Sequence, residues 1–209
     1  MGGGVICYAR FSMKIVVATR NRNKLAELKR ILAGAPVELE GLEAHPECPE
    51  VEETGSTFEE NASLKASQVA KFTGLHALAD DSGLEVDALG GAPGIYSARY
   101  AGANANDRKN LEKVLHELEG VPVQRRSARF RTAIALAAPD GHIIKVFSGK
   151  VEGTIGFSPK GESGFGYDPV FYPLGHGETF AQMGPGRKDA ISHRAEALRR
   201  LKAFLASKS

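Results

Sequence analysis

Two adjacent carboxylates, Asp80-Asp81, follow the apolar run Ala77-Leu78-Ala79. At a strand end such a pair repels itself unless a proton or a cation sits between the two groups. Mg²⁺ takes carboxylate oxygens together with phosphate oxygens and retained water, and with Glu52-Glu53 upstream, acids from two segments could converge on one ion. A second segment, Thr19-Arg20-Asn21-Arg22-Asn23-Lys24, joins an apolar run to a helical pattern. A helix N-terminus presents free N–H groups and the positive end of its dipole, so this loop suits a phosphate, with Lys24 adding a point charge. In Gly164-Phe165-Gly166-Tyr167-Asp168-Pro169, glycines let backbone approach a ligand while Phe165 offers a face on which a planar base could stack. Ser192-His193-Arg194 adds donors that would favour a purine with oxygen at its six-position over adenine.

Taken singly, each motif has a plainer reading: a polar helix cap, turn chemistry, a glycine turn beside core aromatics, a solvated His–Arg pair. Other chemistries lack their residues. There is no G-x-x-x-x-G-K-[ST] loop, no G-x-S-x-G elbow and no H-E-x-x-H helix. The 209 residues carry 27 Lys and Arg against 25 Asp and Glu, a formal charge of +2, so no global field marks a nucleic-acid or membrane binder. The one basic run, Gln124 to Arg131, alternates with apolar residues as one solvated face of a strand would. Two cysteines, Cys7 and Cys48, lack ligand spacing and suit a reducing cytoplasm. No apolar run approaches the ~18 residues of a membrane helix. Residues 1–12 read as an extension outside the fold, with one domain over 13–209.

The elements that must carry these groups follow from periodicity. Lys14 to Thr19 is a β-branched strand, and Leu25, Leu28, Ile31 and Leu32 recur at helical spacing before Gly34 and Pro36. Residues 41–56 read as loop or short strand. Phe58, Ala62, Ala66, Val69 and Phe72 mark a helix over about 57–73, with Ser56 and Glu59, or Thr57 and Glu60, as its capping box. Ala77 to Ala88 suggests strand–turn–strand about Asp80 to Gly83, and Asn106 or Asp107 caps a third helix that Gly120 and Pro122 end. Alternation over 128–136, the turn Pro139-Asp140-Gly141 and the return from Ile143 give a hairpin, with Val151 to Ile155 extending it. A short strand at 169–172, a Gly-rich connection over 173–188 and a C-terminal helix from Ile191 to Leu205 complete the chain. Such a mixture predicts an α/β or α+β fold with an elongated mixed sheet covered by helices. The 121–126 connection is the candidate lobe boundary.

These motifs, in this order, resemble the inosine triphosphate pyrophosphatases, also called non-canonical purine NTP pyrophosphatases. Five segments between Met13 and about Leu205 carry the resemblance: 18–24; 52–55 with 57–62; 79–83 through 91–100; 164–169; and 190–194. It implies a Mg²⁺-dependent homodimer, two lobes with the active site in the cleft between them, and hydrolysis of ITP, dITP and XTP to monophosphate plus pyrophosphate. It also implies roles. Thr19, Arg20, Asn21, Arg22, Asn23 and Lys24 would hold the triphosphate, Glu52 and Asp81 the metal. Asp81 would accept the proton from water, with Asp80, Glu53 or a bound hydroxide as alternatives, and Ser82 would touch substrate. Phe165, Gly166, Tyr167, Asp168, Lys188, His193 and Arg194 would surround base and sugar. A related house-cleaning enzyme for other modified nucleotides, or a non-catalytic nucleotide- or RNA-binding module on the 124–131 strand, are the rival readings.

Overall fold

In a computed structural model, residues 13–207 are described; the reading of residues 1–12 as an extension lies outside them. Strand β1 (Met13–Val17), helix α1 (Arg22–Ile31) and strand β2 (Val37–Gly41) form a parallel crossover unit. Helix α2 (Phe58–Thr73) leads to strand β3 (His76–Val86), and helix α3 (Asp107–Glu117) to the long hairpin of β4 (Ser127–Ala137) and β5 (Ile143–Ile155). A short strand β6 (Phe171–Pro173) and helices α4 (Phe180–Ile191) and α5 (His193–Ala206) close the chain. The six strands lie in the order β2-β1-β3-β4-β5-β6, parallel around β1 and antiparallel from β3 onward. The expected mixed sheet between helices is what forms.

Strand alternation decides which helix meets which face. Val16, Ala77, Ala79, Ala133, Ala135 and Ala137 face α2, whose Ala62, Ala66 and Ala70 meet them. Small residues on both sides allow the helix axis to approach the sheet closely. Ile15, Val17, Leu78, Ile134, Leu136 and Phe147 face the other way, onto α1 and α5. A third apolar cluster, around Phe130, Phe171, Phe180 and Leu118, packs α3 and α4 against the far end of the hairpin. The 121–126 connection between these regions is clamped by Arg126, whose guanidinium donates to the carbonyls of Leu118, Val121 and Gly156.

Two local expectations need correction. The stretch from Asp80 to Gly83 is no turn: β3 runs straight through it in register with β4, Asp80 opposite Ile134 and Ser82 opposite Thr132. Gly83 serves close approach, since a Cβ there would collide with the Gly94 carbonyl and the Ser97 hydroxyl. Residues 37–41, just ahead of the stretch read as loop or short strand, form β2 and pair with β1. The 173–188 connection holds a helix, α4, started by a full capping box between Thr179 and Gln182 and broken at Gly184, where φ is 73°. Pro185 then opens the second half, a position where its missing N–H costs nothing. Gly-Pro-Gly marks a break between two helical pieces, and the sequence resembles a loop for that reason.

Candidate functional site

Because successive residues of a strand point to opposite faces, Asp80 and Asp81 part company. Asp80 shares the face of Leu78 and is 2% exposed. Its carboxylate takes Lys24 Nζ at 2.8 Å, the Thr132 hydroxyl at 2.5 Å, the Ser82 hydroxyl at 3.1 Å and Arg194 at 3.2 and 3.3 Å. Burial pushes its pKa up, yet Arg194 and Lys24 outweigh that and hold it well below the usual range. A carboxylate so committed is a poor base. Asp81 faces α2 instead: Lys65 Nζ sits 2.9 Å from Oδ1 and 2.7 Å from Glu53 Oε1, and Arg99 reaches the other Glu53 oxygen at 3.0 Å. Asp81 Oδ2 is buried with no partner.

The pair is driven apart in acidity. Burial raises the Asp81 pKa, with Glu53 adding repulsion against the pull of Lys65 and Lys24, so it ends above the usual value. Glu53 is also pushed up by burial, but Lys65 and Arg99 bring it below. Two neighbouring carboxylates with separated acidities allow one to take a proton while the other stays charged. The anticipated convergence of acids is narrower than expected: among the described residues no group of three or more His, Cys, Asp and Glu could hold a metal ion. Asp80 is on the wrong face and Glu52 is exposed. What remains, the orphaned Oδ2 of Asp81 beside Glu53, has the hard oxygen chemistry that a Mg²⁺ ion accepts.

On the Ser82 side of β3 lies a cavity with about 590 Å³ of empty space, counting its open mouth. Of the residues singled out in the sequence, Asn21, Lys24, Ser82, Phe165, Gly166, Tyr167, Asp168, Lys188, His193 and Arg194 line it. Segments from both ends of the sheet therefore meet here. Tyr167 is buried, its hydroxyl donating to the Ser97 carbonyl at 2.8 Å. Phe165 stands half-buried, with Lys188 Nζ 4.6 Å from its ring centre and the Arg194 guanidinium 5.4 Å away. His193 stacks on Phe130 at 4.9 Å, and burial, with Arg194 and Lys188 adding to it, pushes its pKa well down, so the ring is neutral. Its Nδ1 has no partner.

Other sequence expectations are placed differently. Arg20 turns back to the Cys48 carbonyl at 2.6 Å, and Arg22 and Asn23 are exposed on the first turn of α1. Thr19 Oγ1 accepts from the Asn21 amide, and Asn21 Oδ1 accepts from the amides of Asn23 and Lys24. The helix terminus thus caps itself, and attraction for an anion falls to its dipole and to the side chains of Lys24 and Arg22. Arg194 is not a free donor either: its three nitrogens are engaged by Asp80, Glu27 and Ser82. On the basic strand, Arg129 meets Glu85, Asp87 and Glu152, and Arg131 meets Glu59 and Glu85, so carboxylates answer both charges.

Two residues that do much of the positioning escaped sequence reasoning. Glu27, 4% exposed, accepts from Lys188 and Arg194, each at 2.7 Å. Its signal was a carboxylate directly before Leu28 on the apolar face of α1. Lys65 lies on the face of α2 turned to the sheet, again a charge among small apolar neighbours.

Comparison with known proteins agrees with this geometry. The sequence profile of the Ham1 family matches residues 15–204. A dITP/XTP pyrophosphatase of Geobacter sulfurreducens is 55% identical over 192 residues, covering 92% of this chain and 96% of its own. One of Bacillus licheniformis is 50% identical, covering 92% and 97%. Among solved structures, a HAM1 protein from Coxiella burnetii superposes with a TM-score of 0.84 at 45% identity, covering 93% of this chain and 99% of that one. The Staphylococcus aureus Ham1 protein gives 0.82 at 45% identity, covering 94% and 100%. With sequence and fold both matched over nearly its whole described length, the chain belongs to the Ham1 family.

Proposed function

We propose that this chain hydrolyses non-standard purine nucleoside triphosphates, dITP and XTP foremost and ITP with them, to the monophosphate and pyrophosphate. It is a nucleoside triphosphate pyrophosphatase. The observation that carries the reading is the cavity that gathers Lys24, Ser82, Phe165, Lys188 and His193, with the buried, unpartnered Oδ2 of Asp81 on the neighbouring residue of β3. The names of the relatives at 50 to 55% identity supply the substrate class.

Asp81 and Glu53 would hold a Mg²⁺ ion, with Glu52 close by in sequence. Such an ion, when bound, would neutralise phosphate charge and lower the pKa of a water. The chain's own groups do the rest. Lys24 and Arg22 draw the polyphosphate to the start of α1, while Lys65 keeps Glu53 and Asp81 together. Asp81, the carboxylate whose pKa burial raises, takes the proton of the attacking water. Phe165 offers its ring to the base. Neutral His193 lies in the same wall, so discrimination against adenine falls to it and Lys188, with Arg194 holding Asp80 and Glu27 in place. A homodimer in the cytoplasm is part of the same reading and rests on the resemblance; no helix of the described residues is long and apolar enough to cross a membrane.

The test is purified protein with Mg²⁺ and, separately, dITP, XTP, ITP, ATP and GTP, resolving pyrophosphate from orthophosphate. Monophosphate plus pyrophosphate from the first three, abolished by a chelator and restored by Mg²⁺, is the expected result. Orthophosphate as the product would overturn attack at the α-phosphorus. Binding without turnover would return the weight to a non-catalytic module.

A further inference from the structure

The segment over residues 164–168 that carries Phe165 has no helix or strand of its own. Glycines in left-handed conformations flank the ring, Gly164 at φ 80° and Gly166 at φ 62°. Such a pair gives the backbone wide latitude, so the position of Phe165 depends on what holds the neighbouring amides. Two carboxylates do. The Phe165 N–H donates to Asp168 Oδ2 at 2.9 Å, and Asp168 is itself buried and bonded to Lys188. The Gly166 N–H donates to Asp107 Oδ2 at 2.7 Å, across 59 residues of chain.

Asp107 is not needed for its own helix. Asn106 already caps α3, its side-chain oxygen accepting from the Lys109 amide at 2.9 Å. The helix is also tied down by buried Asn110, which bonds the backbone of Ala98 and Ala101. An anchored helix therefore presents one exposed carboxylate to one loop amide, and both residues line the cavity. Hydrogen bonds to an ionised acceptor are about twice as strong as neutral ones.

We propose that Asp107 is a positioning residue for substrate: from the first turn of α3 it latches the Gly166 amide and so fixes the Phe165 ring where the purine is bound. The proposal rests on the pyrophosphatase reading and assigns α3 a part in purine binding. Asp107 contacts the loop and leaves the Asp81 centre untouched, so it acts on binding rather than on the chemical step.

The experiment measures steady-state pyrophosphate release from dITP and XTP by the full chain, with Asp107→Ala, Asp107→Asn and Asn106→Ala beside the unaltered protein. Losing a charge-assisted hydrogen bond in Asp107→Ala is expected to raise KM about tenfold, with kcat within about twofold. Asp107→Asn keeps an acceptor oxygen and should hold KM within about threefold, since a neutral acceptor is weaker but still present. Asn106→Ala frays the same helix end, lowering Tm while leaving KM near its normal value, which separates loss of the latch from loss of the helix. Unchanged KM in Asp107→Ala, an equal rise in Asn106→Ala, or a fall confined to kcat would each overturn the latch. If the unaltered protein releases pyrophosphate, any of these failures leaves the function reading standing. No release from any purine triphosphate would sink that reading and the latch with it.

Discussion

Replacing Glu27 with Gln should cost this protein a large part of its stability, because Glu27 anchors a closed set of buried charges. Glu27, Asp80 and Asp168 face Lys24, Lys188 and Arg194, and the formal charges cancel. Glu27→Gln keeps the shape and leaves one uncompensated positive charge, with an amide NH₂ turned toward donors. At an effective dielectric constant of about 20, unit charges 2.7 Å apart interact by about 6 kcal/mol. Two such contacts, less the desolvation of Glu27 that the substitution removes, leave a net cost of about 3–5 kcal/mol, the range for breaking a buried pair. For a domain of this size that lowers Tm by about 6–20 °C.

The pH dependence gives a second, independent reading. Burial pushes the Glu27 pKa up, but Arg194 and Lys188 bring it below the ordinary glutamate value of 4.5. A depressed carboxylate contributes stability that is present above its unfolded pKa and is lost as pH falls through the folded one. The gap between the unaltered protein and Glu27→Gln should therefore be full at neutral pH and close progressively below pH 4.5. Thermal unfolding followed by far-ultraviolet circular dichroism suits a chain without tryptophan. A Tm loss under about 3 °C at neutral pH, or a gap that does not change with acid, would refute the argument that the cluster is electrostatically closed.

Asp81→Asn should lower kcat by about 10²-fold or more, the contribution of a positioned general base, while Tm holds or rises, since burial already disfavours the ionised form. Near-normal pyrophosphate release from that variant would remove Asp81 from the mechanism. His193 should stay neutral as pH falls through 6.5, where a free imidazole takes up its proton; ¹⁵N chemical shifts of the ring report this directly, and titration near 6.5 would contradict its burial. Because the unfolded chain binds that proton first, His193 also contributes stability that is lost as pH falls below its unfolded value.

Much of the site was legible because its chemistry is local. The Phe165 to Asp168 segment, Ser192-His193-Arg194 and the Asn21 to Lys24 turn announce themselves by residue type and spacing, and these segments do meet at one cavity. Glu27 and Lys65 were hidden because an isolated charge in a helical pattern reads as solvent-facing, and only its placement against other charges makes burial affordable. The α4 break was misread for a related reason. Gly184-Pro185-Gly186 signals an interruption in the chain direction, and nothing local says that helix resumes beyond it to present Lys188 to Glu27 and Asp168.

The β1–α1 unit, helix α2, the β4–β5 hairpin and the C-terminal helix follow from near neighbours in the chain, so the sequence by itself determines them. What two adjacent aspartates do is settled elsewhere. Periodicity alone says that Asp80 and Asp81 face opposite ways once the strand is continuous, but continuity depends on pairing with β4, and a turn would have kept them together. Only the tertiary structure brings Arg194 and Lys24 to Asp80 and Lys65 to Asp81, making one a fixed counter-ion and leaving the other a free oxygen. The physical reason is that acidity is set by charges within a few ångströms, and those charges come from α1, α2 and α5, far apart along the chain.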